Sequence, residues 1–483
     1  MENSWDVAIV GGGVVGAAAA VHLSRFDLKI GLLEKRNDVC FGVSKANSGI
    51  VHGGFHYDAA TTVKGRLERR GNLLFDAWSR DLGFPFVRCG ILVVAFAPEQ
   101  LPTVEALYKQ GVANGIPGIE LCDAARIREL EPKLDPSACG GLHAPGGGVV
   151  EPYAMVFALI ETARRNGLEL KTNCEVVSAR HNGEYWEIEA ADGRTFTARY
   201  AINAAGLYAD EVSRAFGAEE FRIRPRKGEE YLLDRESAAR PRRVIFPVPS
   251  PHTKGVLVIP TAGGTTMIGP TSLLIDDKED TATTAENRRR IFEQAGRMVS
   301  GITEKDLIAS FSGSRPVMDG REDFYIERSA KAPHLIHAAG ILSPGLTASP
   351  AIAEELAELL RQDGLTLTEK SSFELPEKTT PLREMPPEEA AARHADDPAL
   401  TNIVCRCEMV SEAEIRRAIR RGHATLDGVK LATRAGMGRC QGGFCTLKIM
   451  KLIAEECGIP LEEVLKNDPG SRIAAGRLGE KAP

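Results

Sequence analysis

The sequence lacks any run of about 20 apolar residues free of charge, the length a helix needs to cross a membrane, so no membrane span is expected in its 483 residues. It also lacks an excess of positive charge. Sixty Lys and Arg stand against 66 Asp and Glu, giving a formal net charge of -6, and no dense basic stripe breaks that balance, which argues against a nucleic-acid partner. The basic-then-apolar order of a secretory leader is missing: the apolar run from Val7 to Val21 is interrupted by Gly11, Gly12 and Gly13. Cytoplasmic residence is therefore the expectation, with any membrane association coming through a partner. No internal repeat is visible. Hydrophobic content of 43% and charged content of 26% are those of a globular chain long enough for two or three domains.

The coarse pattern alternates strand-like and helical runs. Asp6–Val10, Val14–Arg25 and Leu28–Leu33 read as strand, helix and strand. Further strands are expected at Gly90–Phe96, Leu168–Ala179, Tyr185–Ala190, Tyr200–Asn203, Tyr231–Asp234, Gly255–Pro260 and Leu335–His337. Helices are expected at Ala154–Asn166, Glu286–Val299 and Ala351–Gln362. This order predicts an α/β fold with a dinucleotide-type core interleaved with a β-rich region. From Gly364 to about Thr401 five prolines mix with Glu, Lys and Thr, which reads as a connection (366–400). A compact unit follows at 401–468, then a tail at 469–483 rich in Gly, Lys and Arg.

Gly11-x-Gly13-x-x-Gly16 follows the first strand, opens the first helix, and is followed by Glu34 at the end of the next strand. The first glycine permits a tight turn, the second lets backbone approach a pyrophosphate, and the third allows close helix–strand packing. The helix N-terminus offers N–H groups to the phosphates, and Glu34 can accept from ribose hydroxyls. The fingerprint alone leaves FAD and NAD open. No second strand–GxGxxG–helix occurs, as it would in an enzyme binding both, and two small-residue turns after strands favour flavin: Ala201-Ile-Asn-Ala-Ala-Gly206 and His337-Ala-Ala-Gly340-Ile-Leu-Ser343-Pro-Gly345-Leu-Thr347.

Several stretches carry a more specific likeness. They are Ser44-Lys-Ala-Asn47-Ser48-Gly49-Ile-Val-His52-Gly-Gly, Lys227-Gly-Glu-Glu-Tyr231, Lys254-Gly-Val-Leu-Val-Ile-Pro260, Ile268-Gly269-Pro270-Thr271, Ser314-Arg315-Pro316 and Gly340 to Thr347. In this order, over about residues 5–360, they resemble the D-amino-acid-oxidase-type flavoenzymes, and within them the glycerol-3-phosphate dehydrogenase/oxidase branch. The resemblance implies a Rossmann-like FAD-binding domain (about 1–85, 143–225 and 313–365) interleaved with a β-rich substrate domain (about 86–142 and 226–312). It implies non-covalent FAD reached by Gly11, Gly13, Gly16, Glu34, Ser44, Asn47, Ser48, Val176, Gly206, Gly340, Gly345, Leu346 and Thr347.

The substrate residues rest on the same likeness. By spacing alone His52 fits a structural histidine, and Lys254 or Arg315 a solvated charge. The resemblance implies that His52 accepts the substrate hydroxyl proton while hydride leaves for the flavin, and that Lys254 and Arg315 bind the anionic end or polarise the reacting oxygen. Arginine suits phosphate because its planar fork bonds it bidentately. Ser343 is expected to face the substrate, and the N–H groups of Gly345–Thr347 to stabilise negative charge on the reduced flavin ring.

Ten cysteines in this length do not form a secreted disulfide framework. Cys40, Cys89, Cys122, Cys139 and Cys174 are scattered and read as small buried hydrophobes, as does Cys457 on an apolar helix face. Cys405-x-Cys407 and Cys440-x4-Cys445 place four thiolates in two pairs, as an iron–sulfur cluster or a zinc ion requires. Ser411-Glu-Ala-Glu414 is a capping box opening the helix between the pairs. Gly436, Gly438, Gly442 and Gly443 let backbone N–H groups approach sulfur. Cys405-Arg-Cys-Glu with Gly436-Met-Gly-Arg-Cys-Gln-Gly-Gly-Phe-Cys445 resembles the bacterioferritin-associated-ferredoxin-like domain, in the form fused to anaerobic glycerol-3-phosphate dehydrogenases. That implies a small helical domain holding a [2Fe–2S] cluster.

Together these likenesses imply oxidation of sn-glycerol 3-phosphate, a small phosphorylated alcohol, to dihydroxyacetone phosphate. Electrons would leave through the cluster to a partner, a redox flavoprotein or a quinone-linked subunit. The alternatives are a 2-hydroxyacid dehydrogenase of the L-2-hydroxyglutarate type, and a flavin-binding subunit of an amine or hydroxyproline dehydrogenase complex.

Overall fold

The structure, a computed structural model, describes residues 4–249 and 255–476. Two compact units emerge: residues 1–35 with 39–376, and residues 36–38 with 377–483. The first unit is built on two large sheets. In one, Ser4–Val10 runs parallel to Ile30–Leu33 on one side and to the second half of Thr195–Asn203 on the other. Leu168–Lys171 and Leu335–Ala339 extend this parallel core outward. A strand covered on both faces needs apolar residues at every position, and Ile30–Leu33 and Leu335–Ala339 are buried throughout. The first half of Thr195–Asn203 instead pairs antiparallel with Trp186–Ala190, which pairs with Val176–His181. The single strand expected over Leu168–Ala179 is thus two, broken where Asn173 takes a left-handed φ of 47°, a conformation asparagine tolerates better than most residues.

Small residues let helices crowd this sheet. The Ala-rich helix Val14–Leu23 is buried almost all round, against Pro152–Arg165 and Gly345–Gln362. Val63–Leu82, a helix the sequence reading did not anticipate, lies along Gly345–Gln362. Gly71 makes that approach possible, because a β-carbon there would run into the Thr347 carbonyl. Arg66–Glu355 and Arg70–Glu354 pair at 2.9 Å on the exposed flank, contributing at most about 1 kcal/mol each. The helix Gly345–Gln362 starts six residues earlier than expected and contains Pro350. The Leu346 carbonyl, which Pro350 cannot serve, accepts from the Ser349 hydroxyl at 2.9 Å.

The second sheet has nine strands, mostly antiparallel. Ile91–Ala95 shows why its strands read as continuous apolar runs: Leu92 and Val94 join one buried cluster with Ile245, Val258 and Ile291, while Ile91 and Val93 join another with Phe246, Ile259 and Val104. Its longest pair, Ile223–Leu233 with Leu307–Met318, sets Arg226 opposite Arg315 and Glu230 opposite Phe311. A three-stranded sheet of Ile50–Val51, Gly148–Val150 and Phe86–Val87 adjoins. Residues 368–370 return to the first sheet, where Thr368 O accepts from Asp27 N and Arg25 O from Lys370 N, both at 2.8 Å.

The second unit packs the helices Glu412–Arg420, Leu426–Thr433 and Thr446–Cys457 around Ile415, Ile419, Val429, Ile449 and Ile453. The capping box forms: Ser411 Oγ accepts from Glu414 N, and the Glu414 carboxylate from Ser411 N at 2.8 Å.

Candidate active site and cluster site

The turn after the first strand has the geometry its glycines require. Gly11 has φ +111° and lies so close to the strand Thr195–Asn203 that a β-carbon would stand 2.5 Å from the Ala204 carbonyl oxygen. A β-carbon on Gly16 would run into the Gly11 carbonyl. At Gly13 the same atom would meet only the Ser44 hydroxyl, at 3.0 Å, so the space over the helix N-terminus is open. The N-cap residue of that helix, Gly13, has no side chain to cap it. Glu34 Oε2 accepts from Gly12 N at 2.7 Å and Ser44 Oγ from Val14 N at 2.8 Å. The Glu34 carbonyl accepts from Cys174 N at 2.8 Å, which brings the segment leading to half-buried Val176 alongside. Asn47 closes its own turn, donating to Ser44 O at 2.7 Å and accepting from Gly49 N at 2.9 Å.

Gly206 follows Asn203 across the end of the same sheet, with open space where a side chain would be. Gly340 ends the strand Leu335–Ala339, and Gly345, Leu346 and Thr347 form the first turn of the helix that follows. Two hydroxyls are otherwise engaged: Thr347 Oγ1 accepts from His52 N at 2.9 Å, and Ser48 donates to the Glu230 carboxylate. Backbone is therefore what Thr347 presents to a ligand.

His52 is buried at 7% exposure, and its Nε2 lies 3.2 Å from Ser343 Oγ, 291 residues away. Asn72, from the helix Val63–Leu82, holds the His52 carbonyl at 2.6 Å. His56 and the fully buried Glu68 bring a ring nitrogen and a carboxylate oxygen within 4.8 Å of the His52 ring nitrogen and of each other. Sequence reasoning missed both, although the spacing His52-x3-His56 was visible.

Arg315 is half-buried and braced by backbone, donating to Thr271 O at 2.8 Å and Arg226 O at 3.3 Å. Burial lowers its pKa, against the pull of Glu230. Glu230 is the other residue the sequence reading passed over. Burial pushes its carboxyl up to about 7, against the lowering effects of the Ser48 hydroxyl and Arg315. Its neighbour Glu229 is a structural acid, accepting from Tyr231 OH, Thr284 N and Asn287 Nδ2. Two adjacent acids inside an apolar strand were the available signal. Lys254 lies outside the described residues.

In the second unit the four cysteines converge. Cys407 Sγ lies 4.0 Å from Cys405 Sγ and 3.6 Å from Cys440 Sγ. Bonds of about 2.3 Å to one tetrahedral metal would set sulfurs about 3.8 Å apart. A hydrogen bond from Cys445 holds the Cys405 thiol below its ordinary range, and the N–H groups of Gly436 and Glu408 also bond it. The N–H groups of Gly442 and Phe444 bond Cys440. This donor set, backed by backbone amides, fits sulfur-ligated iron as well as zinc.

Comparison with known proteins gives the family. The family model "FAD dependent oxidoreductase" matches residues 6–359, and "BFD-like [2Fe-2S] binding domain" matches residues 403–455. The chain is an FAD-dependent oxidoreductase with a [2Fe–2S] domain. It is 38% identical over 476 residues to a glycerol 3-phosphate dehydrogenase of Caloramator mitchellensis, covering 98% of both chains. The dithionite-reduced, FAD-bound L-alpha-glycerophosphate oxidase of Mycoplasma pneumoniae superposes with a TM-score of 0.74 at 30% identity, over 78% of this chain and 99% of that one. The human mitochondrial L-2-hydroxyglutarate dehydrogenase is 31% identical over 57% of this chain and 63% of its own length.

The open space at Gly13, the N-terminus of the first helix and the Glu34 carboxylate fit the dinucleotide of an FAD. The alternative of zinc at the cysteines gives way to the cluster. Among the described residues, no helix is long and apolar enough to cross a membrane.

Proposed function

We propose that the protein oxidises sn-glycerol 3-phosphate to dihydroxyacetone phosphate and passes the electrons through its cluster to a separate redox protein, a flavoprotein or a quinone-linked subunit. The single observation that carries the reading is the contact of buried His52 Nε2 with half-buried Ser343 Oγ at 3.2 Å, beside the first turn of Gly345–Gln362, in a chain whose 38% identical relative matches both units end to end. When bound, FAD supplies a two-electron acceptor and the cluster a one-electron carrier.

The chain's own residues do the rest. His52 accepts the C2 hydroxyl proton, Ser343 holds that imidazole and the hydroxyl in line, and Arg315 with Lys254 binds the phosphate. Gly11, Gly13, Gly16, Glu34, Ser44, Asn47, Val176, Gly206 and Gly340 would border the flavin nucleotide, with Ser48 donating to the Glu230 carboxylate. The N–H groups of Leu346 and Thr347 would stabilise negative charge on the reduced ring, whereas the Gly345 N–H donates to Leu342 O at 2.6 Å. Cys405, Cys407, Cys440 and Cys445 hold the cluster.

Anaerobic addition of candidate substrates to the purified protein tests this. Glycerol 3-phosphate should bleach the flavin absorbance. Bleaching by L-2-hydroxyglutarate alone would transfer the reading to the 2-hydroxyacid alternative, whose human relative matches only 57% of the chain. Bleaching by none of the alcohols, amines or hydroxyproline would leave a flavin-binding subunit.

A further inference from the structure

Three large apolar side chains stand in solvent on the cysteine-bearing segments of the second unit. Phe444, between Cys440 and Cys445, is 84% exposed, the highest value for a large hydrophobic among the described residues; Leu447 is 55% and Met409 43% exposed. Leu447 stands in the first turn of the helix Thr446–Cys457, three residues after Phe444, and Met409 follows Cys407, whose sulfur lies 3.6 Å from that of Cys440. An exposed cluster of this kind is unfavourable in water unless something covers it part of the time.

The exposed charges of these segments include Arg406, Lys448 and Lys451. The acid in these segments, Glu408, is 3% exposed and bonded by Arg434 Nε at 2.9 Å. Further along the helix Thr446–Cys457, Glu456 is bonded by Arg416 and Arg420 at 2.8 Å, and Glu455 by Arg416 at 2.8 Å. The acids therefore lie at the helix's far end and are matched by arginines. The cysteine end shows apolar surface, the exposed cations Arg406, Lys448 and Lys451, and the positive pole of the helix.

We infer that this face docks an acidic one-electron carrier protein, with Phe444 at the centre of the contact and Lys448 and Lys451 on its rim. The inference rests on the reading that electrons leave the chain through the cluster. It adds the location of the exit and the charge of the acceptor. A small apolar centre ringed by charge suits a transient electron-transfer contact, which buries less than about 1,200 Å². Opposite charge raises the encounter rate by about 10- to 1,000-fold at low salt.

The test uses the full-length holoprotein with the cluster reduced by dithionite, so it does not depend on the substrate. After removal of excess reductant, stopped-flow mixing with oxidised flavodoxin, an acidic one-electron carrier, follows cluster reoxidation across ionic strengths. A basic cytochrome c serves as the opposite-charge control. The flavodoxin reaction should be the faster at low salt and should slow as salt screens the charges. Lys448→Glu with Lys451→Glu should lower its second-order rate at least tenfold, and Leu447→Ser should also lower it, with the cluster spectrum unchanged in both. Unaltered rates in both variants, or a faster reaction with the basic carrier at low salt, would overturn the inference. So would a defect confined to flavin-to-cluster transfer within the chain, or to association of two copies. If the dithionite assay behaves as expected while glycerol 3-phosphate leaves the flavin oxidised, the substrate reading fails and the docking face stands.

Discussion

Glu230 offers the most quantitative test, because its burial and its neighbour Arg315 oppose each other. Its carboxyl lies at about 7 in the folded protein against an ordinary 4.5. The folded chain therefore holds a proton that the unfolded chain releases between those values. Stability from this group is fully present below about pH 4.5 and is lost as pH rises through about 7. A difference of about 2.5 units corresponds to about 3 kcal/mol. Glu230→Gln keeps the shape and the hydrogen bond to Ser48 but removes the ionisation. The stability difference between variant and wild type should thus grow by up to about 3 kcal/mol from pH 4.5 to 8.5, read from denaturant unfolding of the holoprotein. The same ionisation should appear in kinetics. Above pH 7 the new carboxylate neutralises Arg315, the residue proposed to hold the phosphate. KM for glycerol 3-phosphate should then rise above pH 7, approaching tenfold per unit, with kcat changing much less. The substrate's own phosphate titrates near 6 and is already a dianion in that range. Glu230→Gln should flatten the KM profile. A flat wild-type KM from pH 6.5 to 8.5, or a slope that survives in Glu230→Gln, would refute the reasoning.

Other expectations follow from the same geometry. Gly13→Ala places a methyl in the open space over the first helix and should lower FAD occupancy sharply, measured by flavin released on denaturation; full retention would remove Gly13 from the pyrophosphate site. Anaerobically purified protein should contain about two irons and two acid-labile sulfides per chain, and zinc without labile sulfide would make the second unit structural. His52→Ala should slow anaerobic flavin bleaching by about 10²- to 10⁴-fold, whereas Arg315→Ala should chiefly raise the substrate concentration needed for saturation. Cys440→Ser should leave single-turnover bleaching nearly unchanged while stopping delivery to an external acceptor; loss of bleaching with FAD still bound would contradict the relay.

What could be read from the sequence was whatever is local along the chain. The turn Gly11–Gly16, the capping box at Ser411 and the cysteine pairs are each specified within a few residues, and the structure forms the turn and the box and gathers the thiols. The helix Val63–Leu82 was not legible because its charged face hides its apolar one, and its packing depends on Gly71 meeting a backbone carbonyl from 276 residues further on. The acids show the limit most clearly. Glu229 and Glu230 are adjacent, and strand geometry sends adjacent side chains to opposite faces. One meets Tyr231, Thr284 and Asn287, which hydrogen-bond it. The other meets Ser48 and Arg315 and is left near neutrality. Nothing in the dipeptide distinguishes them. Their roles are assigned by which residues the sheet brings to each face, and so by register between strands almost a hundred residues apart. An alternating strand that buries two consecutive carboxylates is consequently a better pointer to a titrating site than either acid alone, since the fold must neutralise each by separate means.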